Sequence, residues 1–203
     1  MSRYLTLTVV AVLVAAACSS TPADDSSSST TAAATAVTAT MPVSTTVAPT
    51  TTTTEDITLL LTSPSFDQNG TIPTEFSCDG DDLSPELNIE NLPDNTVSLA
   101  LIMDDPDAPG GTWDHWVAFD FPPTDTIPED IPLLGIGGSN SWGVTGYGGP
   151  CPPPGTTHRY FFKLFALNGT LELAEGSTKE EVLQAMEGQV LDQTELVGTY
   201  ARP

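Results

Sequence analysis

The chain has 203 residues and carries 27 acidic against five basic side chains, a formal net charge of −22 at pH 7. This balance excludes nucleic acid as a partner and opposes adhesion of the folded surface to anionic lipid, because both require a basic surface. The length suffices for one domain with a full hydrophobic core. An anionic ligand could bind such a protein only in a local pocket whose donors overcome the overall field.

The N-terminus, MSRYLTLTVVAVLVAAAC, has the organisation of an export signal. Arg3 gives a positive start, residues 5–14 form an apolar run that is too short to remain as a membrane span, and small residues precede Cys18. These small residues resemble the lipobox of bacterial lipoproteins, although Ala15 stands where that motif usually has leucine. We expect residues 1–17 to be a lipoprotein signal peptide. Lipidated Cys18 would then anchor the chain to the cell membrane, facing outside the cytoplasm. The alternative is an ordinary secreted protein.

Residues 18–55 consist almost entirely of Ser, Thr, Ala and Pro. They contain no aromatic residue and no periodic apolar face, so they cannot bury enough surface to offset the entropy of ordering. We expect this segment to be a disordered tether between the lipid and a folded domain.

Residues 56–203 carry the patterns of a folded, mainly β domain. The candidate strands are ITLLLTSPSF, VSLALIMDD, HWVAFDF and HRYFFKLFAL, separated by turn signals such as QNGT, PDN, APGG and LNGT. Strict alternation in HWVAFDF predicts two faces, with Trp116, Ala118 and Asp120 on one and Val117, Phe119 and Phe121 on the other. The pattern is typical of a β-sandwich.

One helix is expected in STKEEVLQAMEGQVL, residues 177–191. Thr178 and Glu181 fit a capping box, in which each side chain satisfies a free backbone donor near the other. Val182, Met186 and Val190 follow at four-residue spacing and predict an apolar stripe that packs on the sheet.

The segment between Pro122 and Gly155 is long, irregular and rich in Gly and Pro, which is common in functional loops. Its three consecutive prolines stiffen the backbone shortly before His158. Cys151 lies in this loop, and it remains with Cys78 once Cys18 is assigned to lipid. Export permits a disulfide between Cys78 and Cys151, but two unpaired thiols are equally compatible with the sequence.

The two histidines of the chain, His115 and His158, lie in turn-rich motifs, DDPDAPGGTWDHW and GYGGPCPPPGTTHRY. Asp105 beside His115 would raise the pKa of the ring and fix its tautomer, giving a charged donor in an acidic protein. Backbone N–H groups of the Gly-rich loop and the Tyr160 hydroxyl would add donors. Arg159 should point away from Tyr160 and pair with Asp107. The alternative is that both histidines are structural.

Together with FSCDGDDLSPEL and LVGTY, these two motifs resemble the phosphatidylethanolamine-binding protein family, in particular its bacterial Raf-kinase-inhibitor-like branch. The resemblance implies an antiparallel β-sandwich with one or two peripheral helices and a small anion pocket at one end. The positions that it implies for this pocket are Asp105, Asp107, Pro109, His115, Gly149, Pro150, His158 and Tyr160. Relatives with a C-terminal helix gate the pocket with it, whereas this chain continues from its GTY motif only to YARP.

The sequence therefore favours a non-catalytic module that binds a small anion, such as phosphate or a phospholipid headgroup, without a cofactor or a metal. An alternative is a protease inhibitor or another protein-interaction module acting through GPCPPPG. A hydrolase is less favoured, because the chain has neither a Gly-x-Ser-x-Gly nor a His-Glu-x-x-His motif.

Overall fold

The computed structural model describes residues 58–202; the expected signal peptide, Cys18 and the whole of the expected tether lie outside the described residues. Nine strands, one α-helix and one 3₁₀ turn form in this part of the chain. In chain order they are β1 Leu60–Thr62, β2 Gly70–Thr71, the 3₁₀ turn Thr74–Phe76, β3 Leu87–Glu90, β4 Ser98–Asp105, β5 Trp113–Phe121, β6 Thr126–Ile127, β7 Ile136–Gly137, β8 Thr157–Leu167, α1 Lys179–Ala185 and β9 Val190–Ala201. Within these residues, no helix is long and apolar enough to cross a membrane.

Two sheets enclose the main core. A three-stranded sheet has the order β1-β3-β6, and a six-stranded sheet has the order β2-β9-β8-β4-β5-β7, in which β2 and β9 alone are parallel. Leu61 and Ile127 from the small sheet pack in one cluster with Leu101 and Phe162 from the large sheet. This confirms the predicted mainly β, antiparallel sandwich.

The second face of the large sheet is partly covered by α1. Val182 and Met186 of the helix region pack in one cluster with Val117 and Phe119 of β5. The predicted capping box is present, since the Thr178 hydroxyl accepts from the Glu181 N–H and the Glu181 carboxylate accepts from the Thr178 N–H.

The predicted extent of the helix was wrong at its C-terminal end. The helix ends at Ala185, because the chain turns at Gly188, where φ is 76°. Val190 is the first residue of β9 and is exposed, so the apolar stripe contains Val182 and Met186 but not Val190.

The predicted alternation of β5 was also wrong at Phe121. In the pairing with β4, Leu101 lies opposite Ala118 while Leu99 lies opposite Phe121, so β5 has one extra residue there. This β-bulge returns Phe121 to the main core together with Ala118. Asp120 has a φ of 55°, and its carboxylate accepts the Leu171 N–H at 2.9 Å.

Asp120→Ala should therefore destabilise the fold by about 1–3 kcal/mol, because the nearly buried Leu171 N–H loses its acceptor. Urea unfolding would measure this loss. Asp120→Asn is the matched control, since the amide oxygen can still accept and asparagine tolerates positive φ. Equal losses for the two variants would contradict this account of the bulge.

Candidate functional site

A cavity of about 400 Å³ opens where β4 ends, β5 begins and the proline-rich loop passes. Its wall is formed by two histidines, two tryptophans, three prolines, one carboxylate and one arginine, together with Ala108 and Cys151. The polar and aromatic residues of the wall are Asp105, Trp113, His115, Trp142, His158 and Arg202, and the prolines are Pro109, Pro152 and Pro153.

Four of the predicted site residues, Asp105, Pro109, His115 and His158, line this cavity. Asp105 and His158 point to the same side as the core residues that precede or follow them on β4 and β8, because side chains alternate along each strand. At the ends of β4 and β8, the sheet face that carries the hydrophobic core therefore carries these polar side chains, which form the pocket.

The Asp105 carboxylate orients His158. Nδ1 of His158 donates to Oδ2 of Asp105 at 2.8 Å, and the two residues are only 6% and 3% exposed. Because an ionised carboxylate can only accept, Nδ1 carries the proton. Nε2 of His158 has no hydrogen-bond partner within the described residues. The expectation that Asp105 would orient His115 was wrong: the carboxylate is bonded to the other histidine.

His115 is fixed by the backbone instead. Its Nδ1 donates to the Gly148 carbonyl at 2.7 Å. Its ring packs edge to face against Tyr160 and Trp142, with each pair of ring centroids 5.1 Å apart. Its Nε2, like that of His158, has no partner among residues 58–202.

The electrostatic prediction for His115 was wrong in sign. Burial lowers the pKa of His115 from its ordinary value of 6.5, and this effect exceeds the opposing effects of the Gly148 carbonyl and the Asp105 carboxylate. The physical reason is that the Asp105 carboxylate is bonded to His158 and to the Asp107 N–H, while the aromatic neighbours of His115 exclude water.

A second bulge in β5 aims His115 into the cavity. Met103 lies opposite Trp116, but the next residue of β4, Asp104, lies opposite Asp114, so His115 is an extra residue with no direct partner on β4. A regular strand would place His115 on the outer face with Val117. The bulge turns it to the inner face, beside Tyr160.

The other predicted residues lie around the cavity rather than on its wall. Asp107 forms a two-pronged ion pair with Arg159, with Nη2 to Oδ1 at 2.7 Å and Nε to Oδ2 at 2.9 Å. The Arg159 hydrogen bond is the main reason that the pKa of Asp107 falls to about 2. The predicted pairing of Arg159 with Asp107, away from Tyr160, is confirmed.

The Gly149 N–H does not point at the cavity, contrary to the expectation that the glycine-rich loop would offer free donors there. It donates to Oδ1 of Asp82 at 2.7 Å. Gly149 is required at this position because a Cβ would lie 2.3 Å from the Phe76 carbonyl oxygen. The neighbouring Pro150 carbonyl accepts the Cys78 N–H at 3.2 Å.

Of the two alternatives that the sequence leaves open for Cys78 and Cys151, the structure has the disulfide, with the two Cα atoms 5.4 Å apart. It joins the loop after the 3₁₀ turn to the proline-rich loop, next to the Pro150–Cys78 backbone hydrogen bond. Gly149 and Pro150 thus position the cavity wall at Cys151.

Tyr160 is fully buried, and its hydroxyl has no hydrogen-bond partner within the described residues. Burial raises the pKa of this phenol, with the Asp105 charge adding to the effect, so the group stays protonated. The residue supports the His115 ring from the core side, and it does not line the cavity.

Sequence reasoning gave the tryptophans a core or rim packing role, with one of them able to cover the pocket, and it missed Arg202. Trp113 and Trp142 pack edge to face, with centroids 5.4 Å apart. Arg202 follows β9, and its Nε donates to Oδ1 of Asp79 at 3.1 Å. The odd-even pattern of β9 could place Arg202 and Tyr200 on one face, but nothing local in YARP indicates that this face meets the histidines.

A separate cavity of about 390 Å³ lies on the opposite face of the large sheet. Its polar wall is the buried cluster in which Lys163 and Lys179 both contact Asp104, and Lys179 also contacts Asp114. The side chains of Asp104 and Asp105, at the end of β4, therefore lie on opposite faces of the large sheet. No group of three or more His, Cys, Asp or Glu side chains suited to a metal ion occurs in residues 58–202.

The fold and the site define a class of protein: a small β-sandwich with a histidine-lined pocket at one end of its strands, an arrangement that is consistent with ligand binding. Comparison with known families places the chain within this class: the model of the phosphatidylethanolamine-binding protein family matches residues 62–201. The chain belongs to this family.

Relatives agree with this assignment. A UPF0098 protein of Methanothermobacter thermautotrophicus is 47% identical over 149 residues, which is 70% of this chain and 98% of the relative. A solved phosphatidylethanolamine-binding protein homologue from Chlamydia trachomatis superposes with a TM-score of 0.70 at 37% identity, covering 72% of this chain and 99% of that one. YbcL of E. coli gives a TM-score of 0.66 at 28% identity, covering 71% and 99%.

The His115 imidazole should titrate below pH 6.5, because burial disfavours its charged form. Since the unfolded chain then binds this proton more readily than the folded protein, lowering the pH below 6.5 should reduce the contribution of this group to stability. An NMR pH titration of the two imidazoles, assigned with His115→Gln, would measure the midpoint. A midpoint above 6.5 would contradict the dominance of burial.

Proposed function

We propose that the chain is a non-catalytic binding module whose histidine-lined cavity takes a small phosphate-like anion. The observation that carries this proposal is the state of the two imidazoles. Each ring commits Nδ1 to a protein acceptor, and each keeps an unpartnered Nε2 within the described residues. Both rings line one cavity.

The chemistry of these rings suits an anion that can exchange a proton. A protonated imidazole donates from Nε2 to a phosphate oxygen, whereas a neutral ring with its proton on Nδ1 accepts at Nε2. An arriving anion would favour the protonated form of both rings. Family membership adds support, because the matched family is described as phosphatidylethanolamine-binding.

The electrostatic setting limits the affinity. His158 is bonded to the Asp105 carboxylate, burial disfavours the charged form of His115, and Arg202 is paired with Asp79, so the cavity has little net fixed positive charge. A ligand must therefore induce protonation. Binding should strengthen as the pH falls from 8 towards 6.

Glycerophosphoethanolamine is a suitable probe, because the charge of its diester phosphate does not change in this range. Its affinity for the full chain should rise as the pH falls, and His158→Gln should weaken binding by about tenfold or more, the effect of losing one charge-assisted hydrogen bond. Calorimetric titration would measure both effects, with glycerol as the uncharged control ligand.

Unchanged affinity in a folded His158→Gln protein would count against the cavity as the anion site. The thermal unfolding of the variant would establish that it is folded, because the buried Asp105 carboxylate loses His158 and keeps only the Asp107 N–H as a donor.

The alternative of an inhibitor or interaction module acting through the proline-rich loop stays a prediction. Pro152 and Pro153 lie on the cavity wall, and Cys151, Pro153 and Pro154 are exposed. The loop and the pocket are therefore adjacent, so a protein partner seated on the loop would cover the anion site. Competition between an anion and that partner would distinguish the two functions.

We further propose that the module is displayed outside the cytoplasm on a lipid attached to Cys18, with residues 18–55 as tether. The lipobox-like sequence before Cys18 and the Ser/Thr-rich segment after it support this arrangement. The disulfide between Cys78 and Cys151 is compatible with an oxidising compartment.

Cys18→Ser should move the protein from the membrane fraction to the soluble fraction of cells, and it should abolish incorporation of radiolabelled palmitate. Cys78→Ser is the matched control, because it removes a cysteine without touching the lipidation position. Membrane retention and labelling of the Cys18→Ser protein at the original level would contradict lipid attachment at this residue.

A further inference from the structure

Arg202 is the permanent cation on the wall of the histidine-lined cavity. Within residues 58–202 the other basic side chains are Arg159, Lys163 and Lys179. Arg159 is paired with Asp107 outside the cavity, and the two lysines are bound to Asp104 on the opposite face of the sheet.

Both the backbone and the side chain of Arg202 are held in place. Its N–H donates to the Thr156 carbonyl at 3.2 Å, and its carbonyl accepts the Gly155 N–H at 3.1 Å. Its Nε donates to Oδ1 of Asp79, whose other oxygen accepts the Tyr200 hydroxyl at 3.0 Å. The hydrogen bond to Asp79 fixes the Nε edge of the Arg202 guanidinium. The two Nη groups of Arg202 have no hydrogen-bond partner within the described residues.

We propose that the cavity selects a terminal phosphate, that is, a phosphomonoester, over a phosphodiester, and that Arg202 is the residue that makes this distinction. The proposal rests on the anion-binding function proposed above and names its ligand class.

The number of oxygen atoms favours the monoester. The planar guanidinium group of arginine binds two oxygens of one phosphate in a bidentate manner, through two parallel N–H···O hydrogen bonds. A phosphomonoester then keeps a third terminal oxygen for the histidines. A diester has only two oxygens that are not ester-linked, so Arg202 and the imidazoles must share them.

The proton that a phosphomonoester carries near neutral pH also favours its binding over that of a diester. Because each ring holds its proton on Nδ1, a neutral ring presents an acceptor at Nε2. A phosphomonoester has a second pKa of about 6, so near neutral pH it can bring a P–OH that donates to Nε2. A diester has no such proton, and the protein must then take one up on a buried ring.

The test compares two ligands that carry the same ethanolamine group. O-Phosphoethanolamine is a monoester and glycerophosphoethanolamine is a diester. Calorimetric titration of the full chain near pH 6.5 should give the monoester an affinity at least about tenfold higher. Arg202→Gln should remove most of that ratio, and Arg202→Lys, which keeps the charge without the planar fork, should restore only part of it.

Arg159→Gln is the matched control, because it removes the same charge from a side chain that does not line the cavity. It should leave both affinities within about twofold, as expected for a screened surface charge. Equal affinities of the original chain for the two ligands, or identical effects of Arg202→Gln and Arg159→Gln, would overturn the proposal. If neither ligand binds the original chain, the anion-binding function itself fails.

A phosphomonoester could be a free metabolite or the headgroup of phosphatidate. Phosphatidylcholine vesicles with and without phosphatidate distinguish these sources. Retention that depends on phosphatidate and is displaced by O-phosphoethanolamine assigns the lipid, whereas binding of the free monoester alone assigns a soluble ligand. Either result agrees with a monoester site, and a preference of the vesicle-bound protein for diester lipid would contradict it.

Discussion

The hydrogen bond between the Asp105 carboxylate and Nδ1 of His158 organises the whole site. It closes the polar end of β4 against β8 in a region from which water is almost excluded. A buried carboxylate needs a partner, and His158 is the side chain that reaches it. The same bond fixes the tautomer of the ring, and thereby the chemical character of the nitrogen that faces the cavity. Strand alternation then sends Asp104 to the opposite face, where it is neutralised by two lysines.

The second element of the site is an interruption in a regular strand. The bulge at His115 brings a side chain that alternation assigns to the outer face onto the wall of the cavity. There it is packed by Tyr160 and Trp142 and held by the Gly148 carbonyl. The two rings therefore differ: one is balanced by a carboxylate, the other is desolvated by aromatic groups. In a chain of net charge −22, the resulting pocket is not strongly positive by itself, so the proposed anion site depends on protons that the ligand induces or brings.

Much of this architecture follows from local sequence. Apolar runs give β4 and β8, the capping box gives the start of α1, and the alternation of β8 separates Arg159 from Tyr160. The remaining features depend on contacts between distant segments. No local pattern reveals that Asp105 bonds to His158 or that Asp82 accepts the Gly149 N–H. Nor does any local pattern show that Arg202 lines the same cavity as the histidines. The bulges were missed for a related reason, because an extra residue in β5 is visible only in its register against β4.

We propose that an anion sits between the Nε2 atoms of His115 and His158 and also contacts Arg202. The most direct measurement is a crystal structure of the protein with bound selenate, located by the anomalous scattering of selenium. We expect a peak in the histidine-lined cavity, within hydrogen-bond distance of both Nε2 atoms. A peak at the Lys163–Lys179 cluster with none at the histidines would contradict it.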